Sequence, residues 1–281
     1  MMQLNSNGIV NIKKSNYSEL PFNGYDDTHV EKKGSIEVVG THHLSDIFEL
    51  YKKGLNKNYS HGKTFISLNS EEIELDQKHF PLFFDYLKQF GSHDNFDYYT
   101  GGFITQLISN NYKKDPLTPV FLNLKDIPVF DFLLSNFQGS EKTPLQIYVV
   151  GNTGDYFAQS SKNVMAVVKG VIGQYSFQTS TNPVVYASGE IRRCSFSYST
   201  NLYLVAQGKI REDFAALARG LECLILGDSG ISNCGYVKKD QVGILIKGNF
   251  RNELQIVNEL EYKIKIDTFN QKMELIEQNG L

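Results

Sequence analysis

Six glycines, Gly151, Gly170, Gly189, Gly208, Gly227 and Gly248, each follow an apolar run, and they recur at intervals of 19, 19, 19, 19 and 21 residues. A fixed period of this size marks a repeat architecture. Counting back from each glycine, position −2 holds Val149, Val168, Ala187, Ala206, Ile225 and Ile246, and position −4 holds Ile147, Ala166, Val185, Leu204, Cys223 and Ile244. Position −6 holds Leu145, Val164, Pro183, Leu202, Leu221 and Val242. Residues two apart on a strand share a face, so these three apolar columns point inward together. Positions −5 and −1 are mixed, as an outward face should be. An antiparallel sandwich also alternates, but it does not require a constant period with the glycine always on the same side. The pattern therefore predicts an α+β chain whose C-terminal part, 145–258, is a right-handed parallel β-solenoid of about six rungs. With strands ~4.8 Å apart, it would stand about 24 Å tall.

Gly151-Asn152-Thr153-Gly154-Asp155-Tyr156, then Val167-Val168-Lys169-Gly170 with Gly173, resembles the GXGXG repeat domain. That domain forms the C-terminal β-helix of the glutamate synthase large subunit and one of the chains of formylmethanofuran dehydrogenase. The resemblance covers about 110 residues and returns at Gly227-Asp228-Ser229-Gly230; between these, Arg192 and Arg211 replace the second glycine. It implies a structural and docking element, and it transfers no catalytic residue. The glycines themselves read as solenoid corners, which need φ > 0 or a close backbone approach. No Gly-Lys-Ser/Thr follows any of them, so they are not a P-loop.

Before the repeat, residues 1–34 are polar and Asn-rich and read as an arm. Residues 35–144 read as a small α/β unit. Its expected strands are Ser35–Val39, Thr64–Leu68 and Val120–Leu124. One expected helix carries Leu44, Ile47, Phe48, Tyr51 and Leu55, with Thr41 as cap and Gly54 as stop. A second, capped by Asp76 and stopped by Gly91, carries Phe80, Phe83, Phe84, Leu87 and Phe90. A short amphipathic segment spans Phe103–Ile108, and a last helix opens at Asp126-Ile127-Pro128 and carries Phe130, Leu133, Leu134 and Phe137. Residues 259–281 read as a cap for the solenoid's open end: an edge strand, Tyr262–Ile266, then a short helix from Phe269 to Gln278.

The net charge of −3 gives no reason to expect nucleic-acid binding, and no window approaches a membrane span. The N-terminus lacks the apolar run of a secretory signal, so the Asn-Tyr-Ser triplets at Asn16 and Asn58 read as chance. Three cysteines, Cys194, Cys223 and Cys234, are too few for a disulfide framework. A cytoplasmic location is the expectation.

No motif carries chemistry clearly. Gly227-Asp228-Ser229-Gly230 spells a protease nucleophile string, but it falls on a corner of the repeat and no partner base accompanies it. The histidines, His29, His42, His43, His61, His79 and His93, cluster in the first third without ligand spacing. Arg192, Arg193, Arg211 and Arg251 follow their corners and line an edge, either salt-bridged to Glu190, Glu212 and Asp213 or open to an anionic partner. No catalytic, cofactor-binding or metal residue is assigned, and no cofactor is expected.

The most informative feature is position −3: Tyr148, Val167, Tyr186, Val205, Leu224 and Leu245. Flanked by inward columns, it faces outward, yet it is apolar throughout. Such a stripe is rarely left bare. The α/β unit, the C-terminal tail or another chain would cover it. Two function classes follow. One is a non-catalytic structural or docking protein that presents a solenoid face to a protein partner or to a second copy. The other is an enzyme with its site in the α/β unit or at its junction with the solenoid, His42, His43 and nearby carboxylates being the candidates.

Overall fold

The computed structural model describes residues 3–4, 10–11, 44–56, 73–227, 242–246 and 259–279. Strands β1 (Gln3–Leu4) and β2 (Val10–Asn11) form a small antiparallel pair within the expected arm. Three helices follow: α1 (Leu44–Leu55), α2 (Phe80–Leu87) and α3 (Phe96–Lys114). Then come β3 (Val120–Asn123), β4 (Leu145–Val150), β5 (Val164–Lys169), β6 (Val184–Ala187), β7 (Tyr203–Ala206), β8 (Leu221–Ile225) and β9 (Val242–Ile246). Helix α4 (Glu259–Gln278) ends the chain's described part.

Strands β3 to β9 form one sheet in sequence order, every pair parallel. The register is the sequence period: Ile147 pairs with Ala166, Ala166 with Val185, Val185 with Leu204 and Leu204 with Cys223. The chain is a parallel β-solenoid with helices. About four complete turns, strand and return side together, run from Leu145 to Gly220. The inward columns are buried at every described position from Leu145 to Ile225.

The return side is not a strand. In each turn four residues sit at positive φ: Tyr156, Ala158, Ser160 and Asn163 in the first, then Tyr175, Phe177, Thr179 and Asn182, then Cys194, Phe196, Tyr198 and Asn201. Alternation of right- and left-handed residues makes a chain of tight turns, closed by bonds such as Gln159 N to Tyr156 O and Ser161 N to Ala158 O. The remaining amides bond alternately to the turn ahead (Ser160 N to Gln178 O, 2.8 Å) and the turn behind (Ala158 N to Leu133 O, 2.8 Å). Bulky residues rarely hold φ > 0; stacking offsets that cost, because each turn's amides are satisfied only by its neighbours. Asparagine, which tolerates this conformation, takes the last corner and forms a ladder: Asn201 donates to Asn182 and Asn182 to Asn163, each at 2.8 Å.

The corner glycines need space rather than conformation. Of the five described corner glycines only Gly151 has positive φ, at 108°, and Gly248 lies outside the described residues. A Cβ on Gly170, Gly189, Gly208 or Gly227 would overlap the carbonyl oxygen of the corner glycine one rung before. Inside the turns, Phe157-Ala158, Ser176-Phe177, Ser195-Phe196 and Phe214-Ala215 each pair one ring with one small residue, all buried. The core volume per rung is thus held constant while the ring moves between two positions.

Three expectations are corrected. Val120–Leu124 is not a strand of a separate α/β unit; β3 pairs with β4 and begins the solenoid sheet. Residues 126–137 are not a helix: Phe132, Leu134 and Asn136 have φ near +60°, as in the later turns. Inward positions of the turn stack fall at i, i+3, i+4 and i+7, the same spacing a helix shows, so Phe130, Leu133, Leu134 and Phe137 are buried as expected for a different reason. The strands expected at 35–39 and 64–68 lie outside the described residues. Gly54 is inside α1 rather than its stop, and a Cβ there would strike the Tyr99 ring. Helices α1 and α2 bury the expected faces except Phe90, which is half-buried in the short helical turn after α2, and Asp76 caps the short helical turn before α2.

Helix α3 closes the start of the solenoid. Thr105 Oγ1 accepts from Leu134 N (2.7 Å) and Asp97 O from Asp131 N (2.9 Å). These backbone amides would otherwise require a preceding rung. The helical residues and the solenoid interior share one core.

Candidate functional site

The outward stripe is buried. Tyr148 (2%), Val167 (0%), Tyr186 (6%), Val205 (0%) and Leu224 (0%) lie beneath α4 and form a second core with its Phe269 and Ile276. The side chain of Leu245 lies outside the described part. Ile266 and Met273 of α4 and Phe121, Met165, Val184, Tyr203 and Leu226 of the sheet are half-buried around this core. The residues expected to form an edge strand, Tyr262–Ile266, are instead the first turns of α4. The helix lies on the sheet, across β4, β5 and β7.

Its seating follows from helix geometry. Lys265, Phe269, Lys272 and Ile276 are spaced 4, 3 and 4 residues apart and fall on one line of the helix. The two apolar residues of that line are the fully covered ones, worth roughly 3–6 kcal/mol together by burial. The two lysines are seated over rings: Lys265 Nζ is 4.5 Å from the centroid of Tyr203, and Lys272 Nζ is 6.0 Å from that of Tyr148. Lys265 is 4% exposed and pairs with Glu222; Lys272 reaches the Tyr148 hydroxyl at 3.5 Å. Lys169 and Glu277 close the far end at 2.9 Å. From Lys265 to Lys272 the helix rises roughly 10 Å, while β7 and β4 are about 14 Å apart. The long lysine side chains span the difference, so α4 passes from β7 toward β4 across the rungs. Burial, reinforced by Tyr203, pushes the Tyr186 hydroxyl up to about 12, and Lys265 opposes that shift.

A second feature sits where α3 meets the first turn. Burial is the main force raising Asp131, to about 6; a hydrogen bond from Asp155 N (2.7 Å) opposes it, and the Asp155 and Asp97 carboxylates add to it. Beside them Tyr98, Phe132, Tyr156 and Tyr175 stack at 5.2, 4.7 and 5.1 Å. A folded-state value above the unfolded one means the native state holds the extra proton between about pH 4 and 6, so stability falls as pH rises through that window. Solvent screening of this partly exposed group reduces the effect to about 1 kcal/mol. Asp131→Asn keeps the acceptor oxygen for Asp155 N. It should raise the melting temperature at pH 7.5 and flatten the pH 4–6 slope in scanning calorimetry; an unchanged slope would mean Asp131 is not its source.

The other expected residues stay apart. His79 is buried at the start of α2, and His93 contacts Asn95 N and Asn56. His29, His42, His43 and His61 lie outside the described residues. Among the described residues no group of three His, Cys, Asp or Glu side chains is placed to hold a metal ion. Cys223 is buried, Cys194 is half-buried 4.0 Å from Asp213, and Cys234 is outside the described part. Arg192, Arg193 and Arg211 are exposed. Arg211 forms a two-point pair with Glu190 (2.8 and 3.2 Å), which draws that carboxyl below its usual value. The neighbouring Tyr175 and Cys194 side chains hold the Arg193 guanidinium above its ordinary value, and Arg251 lies outside the described part. Sequence reading missed Lys265 and Lys272, although their 4-3-4 spacing with Phe269 and Ile276 is a helical signal. The Tyr-Lys-Ile-Lys-Ile alternation masks it.

Fold and site together define a parallel β-solenoid whose outer sheet face is a helix-bearing surface. No family model, curated protein or solved structure matches this chain. No helix among the described residues is long and apolar enough to cross a membrane.

Proposed function

We propose that this chain is a non-catalytic docking protein of the cytoplasm, a stand-alone and degenerate GXGXG-like solenoid that presents its sheet face to a partner or to a second copy. The observation that carries this is the stripe itself: a continuous apolar column on the outside of the sheet with a helix already seated on it. The continued period at Gly227 and Gly248 supports six rungs. The right hand follows from the handedness of parallel crossover connections. The N-terminal unit acts as the cap of the first rung.

The Val205→Lys/Leu224→Lys double variant should keep the rungs folded and release α4, read as rapid proteolysis within 259–278. Retained protection of α4 would contradict the stripe as its seat. In affinity purification from the native host, Phe269→Asp should recover more of any docked protein than the wild-type chain, and the double variant none. Equal recovery by all three would overturn the docking reading. The second reading is an enzyme at the junction, favoured by the raised Asp131 beside Asp97 and Asp155. Unchanged native-host phenotype in an Asp131→Asn strain would remove it.

A further inference from the structure

The way α4 is seated states what the sheet face recognises. An apolar stripe alone would select any amphipathic helix, and lysines would be excluded from the centre of the contact. Here Lys265 and Lys272 lie on the same line as Phe269 and Ile276, and the sheet has a partner for each. Tyr203 and Glu222 take Lys265, the more deeply covered of the two. Tyr148 takes Lys272 with both its ring and its hydroxyl. A cation over an aromatic face is favoured when desolvated, and an uncompensated buried ammonium is strongly disfavoured. A helix with lysines elsewhere would leave Glu222 without that partner, and one with carboxylates there would oppose it. The three groups lie on β4, β7 and β8, so they read the spacing of two lysines across the rungs.

We propose that the stripe is a recognition surface for an amphipathic helix with the pattern Lys-x3-aromatic-x2-Lys-x3-aliphatic, and that α4 is its intramolecular competitor. This rests on the docking reading and gives it a partner class. Tyr148, Tyr203 and Glu222 are the specificity-determining residues. Val167, Tyr186, Val205 and Leu224 form the apolar floor. A partner helix must displace α4, so its apparent affinity falls by the fraction of time the face is covered.

The probe is a fluorescein-labelled synthetic peptide of residues 259–279, titrated by anisotropy into the full chain carrying Phe269→Asp and Ile276→Asp, whose own helix is dislodged. Binding should saturate and be at least tenfold tighter than to the wild-type chain. A peptide with norleucine at both lysine positions should lose at least tenfold, as should the original peptide against a receptor that also carries Glu222→Gln and Tyr203→Leu. A norleucine peptide that binds as well as the original would overturn the lysine readout, and equal binding to the dislodged and wild-type chains would overturn the competition. Should the dislodged variant not fold, hydrogen exchange of the wild-type chain decides. Excess unlabelled peptide should speed exchange of α4 while β5 to β7 stay protected, and an α4 unaffected by the peptide overturns the proposal. A docked protein recovered from the host together with failure of the peptide would leave docking standing and remove only this partner class.

Discussion

Gly189→Ala is expected to lower stability by about 3 kcal/mol, as overpacking against backbone does. Gly189 has an ordinary negative φ, so conformational strain is not the reason. Its added methyl would overlap the carbonyl of Gly170, and neither chain can retreat. Val168 O is held by Ser188 N at 3.0 Å, and the rungs on both sides repeat the same ladder. The control is Gly102→Ala in α3, where a Cβ meets nothing within 4 Å; it should gain up to about 1 kcal/mol from helix propensity alone. Urea unfolding measures both. Similar midpoints for the two variants would mean the corner glycines are not packed rung on rung.

Ile225→Asp is expected to cost about 3–5 kcal/mol or to prevent folding. Ile225 is 1% exposed in the inward column, and an unpaired carboxylate there loses its hydration without gaining a partner. Gln207→Asp, one position before the corner of the preceding rung and exposed, should change stability by less than about 1 kcal/mol. The two positions lie on neighbouring rungs, beside the same corner, and differ in side-chain direction: Ile225 points inward and Gln207 outward. Equal effects would invert the assignment of faces.

The strand side of the solenoid was legible because two signals coincide there: alternation of period two, and glycines that exclude a Cβ at a fixed interval. Ala166, Val185 and Leu204 are buried and stacked at that interval. The return side was not legible. Its conformation is set by hydrogen bonds to neighbouring turns, and residues such as Tyr175, Phe177 and Phe196 carry no local preference for positive φ. For the same reason Leu133, Leu134 and Phe137 read as a helix. Their spacing is common to a helix and to a stack of alternating turns. Asn163, Asn182 and Asn201 were the usable sign, since asparagine at a 19-residue interval marks a left-handed corner.

The stripe could be read from the sequence because apolar columns on both sides fix its direction. Its occupant could not be. Tyr262–Ile266 alternates as a strand does, and only the register of Lys265, Phe269, Lys272 and Ile276 argues for a helix beginning earlier, at Glu259. The junction carboxylates escaped notice because Asp97, Asp131 and Asp155 are far apart in the chain and meet only when α3 caps the first turn.

Methyl-labelled NOE spectroscopy of the full chain tests the parallel, in-register solenoid and the covering of its outer stripe by α4 together. Inner-column methyls should show cross-peaks in 19-residue steps, Ile147 to Ala166, Ala166 to Val185 and Val185 to Leu204. The methyls of Val205 and Leu224 should in addition contact side chains of α4, the Phe269 ring among them. Cross-peaks that pair these strands antiparallel, or stripe methyls with no contact to α4, would contradict it.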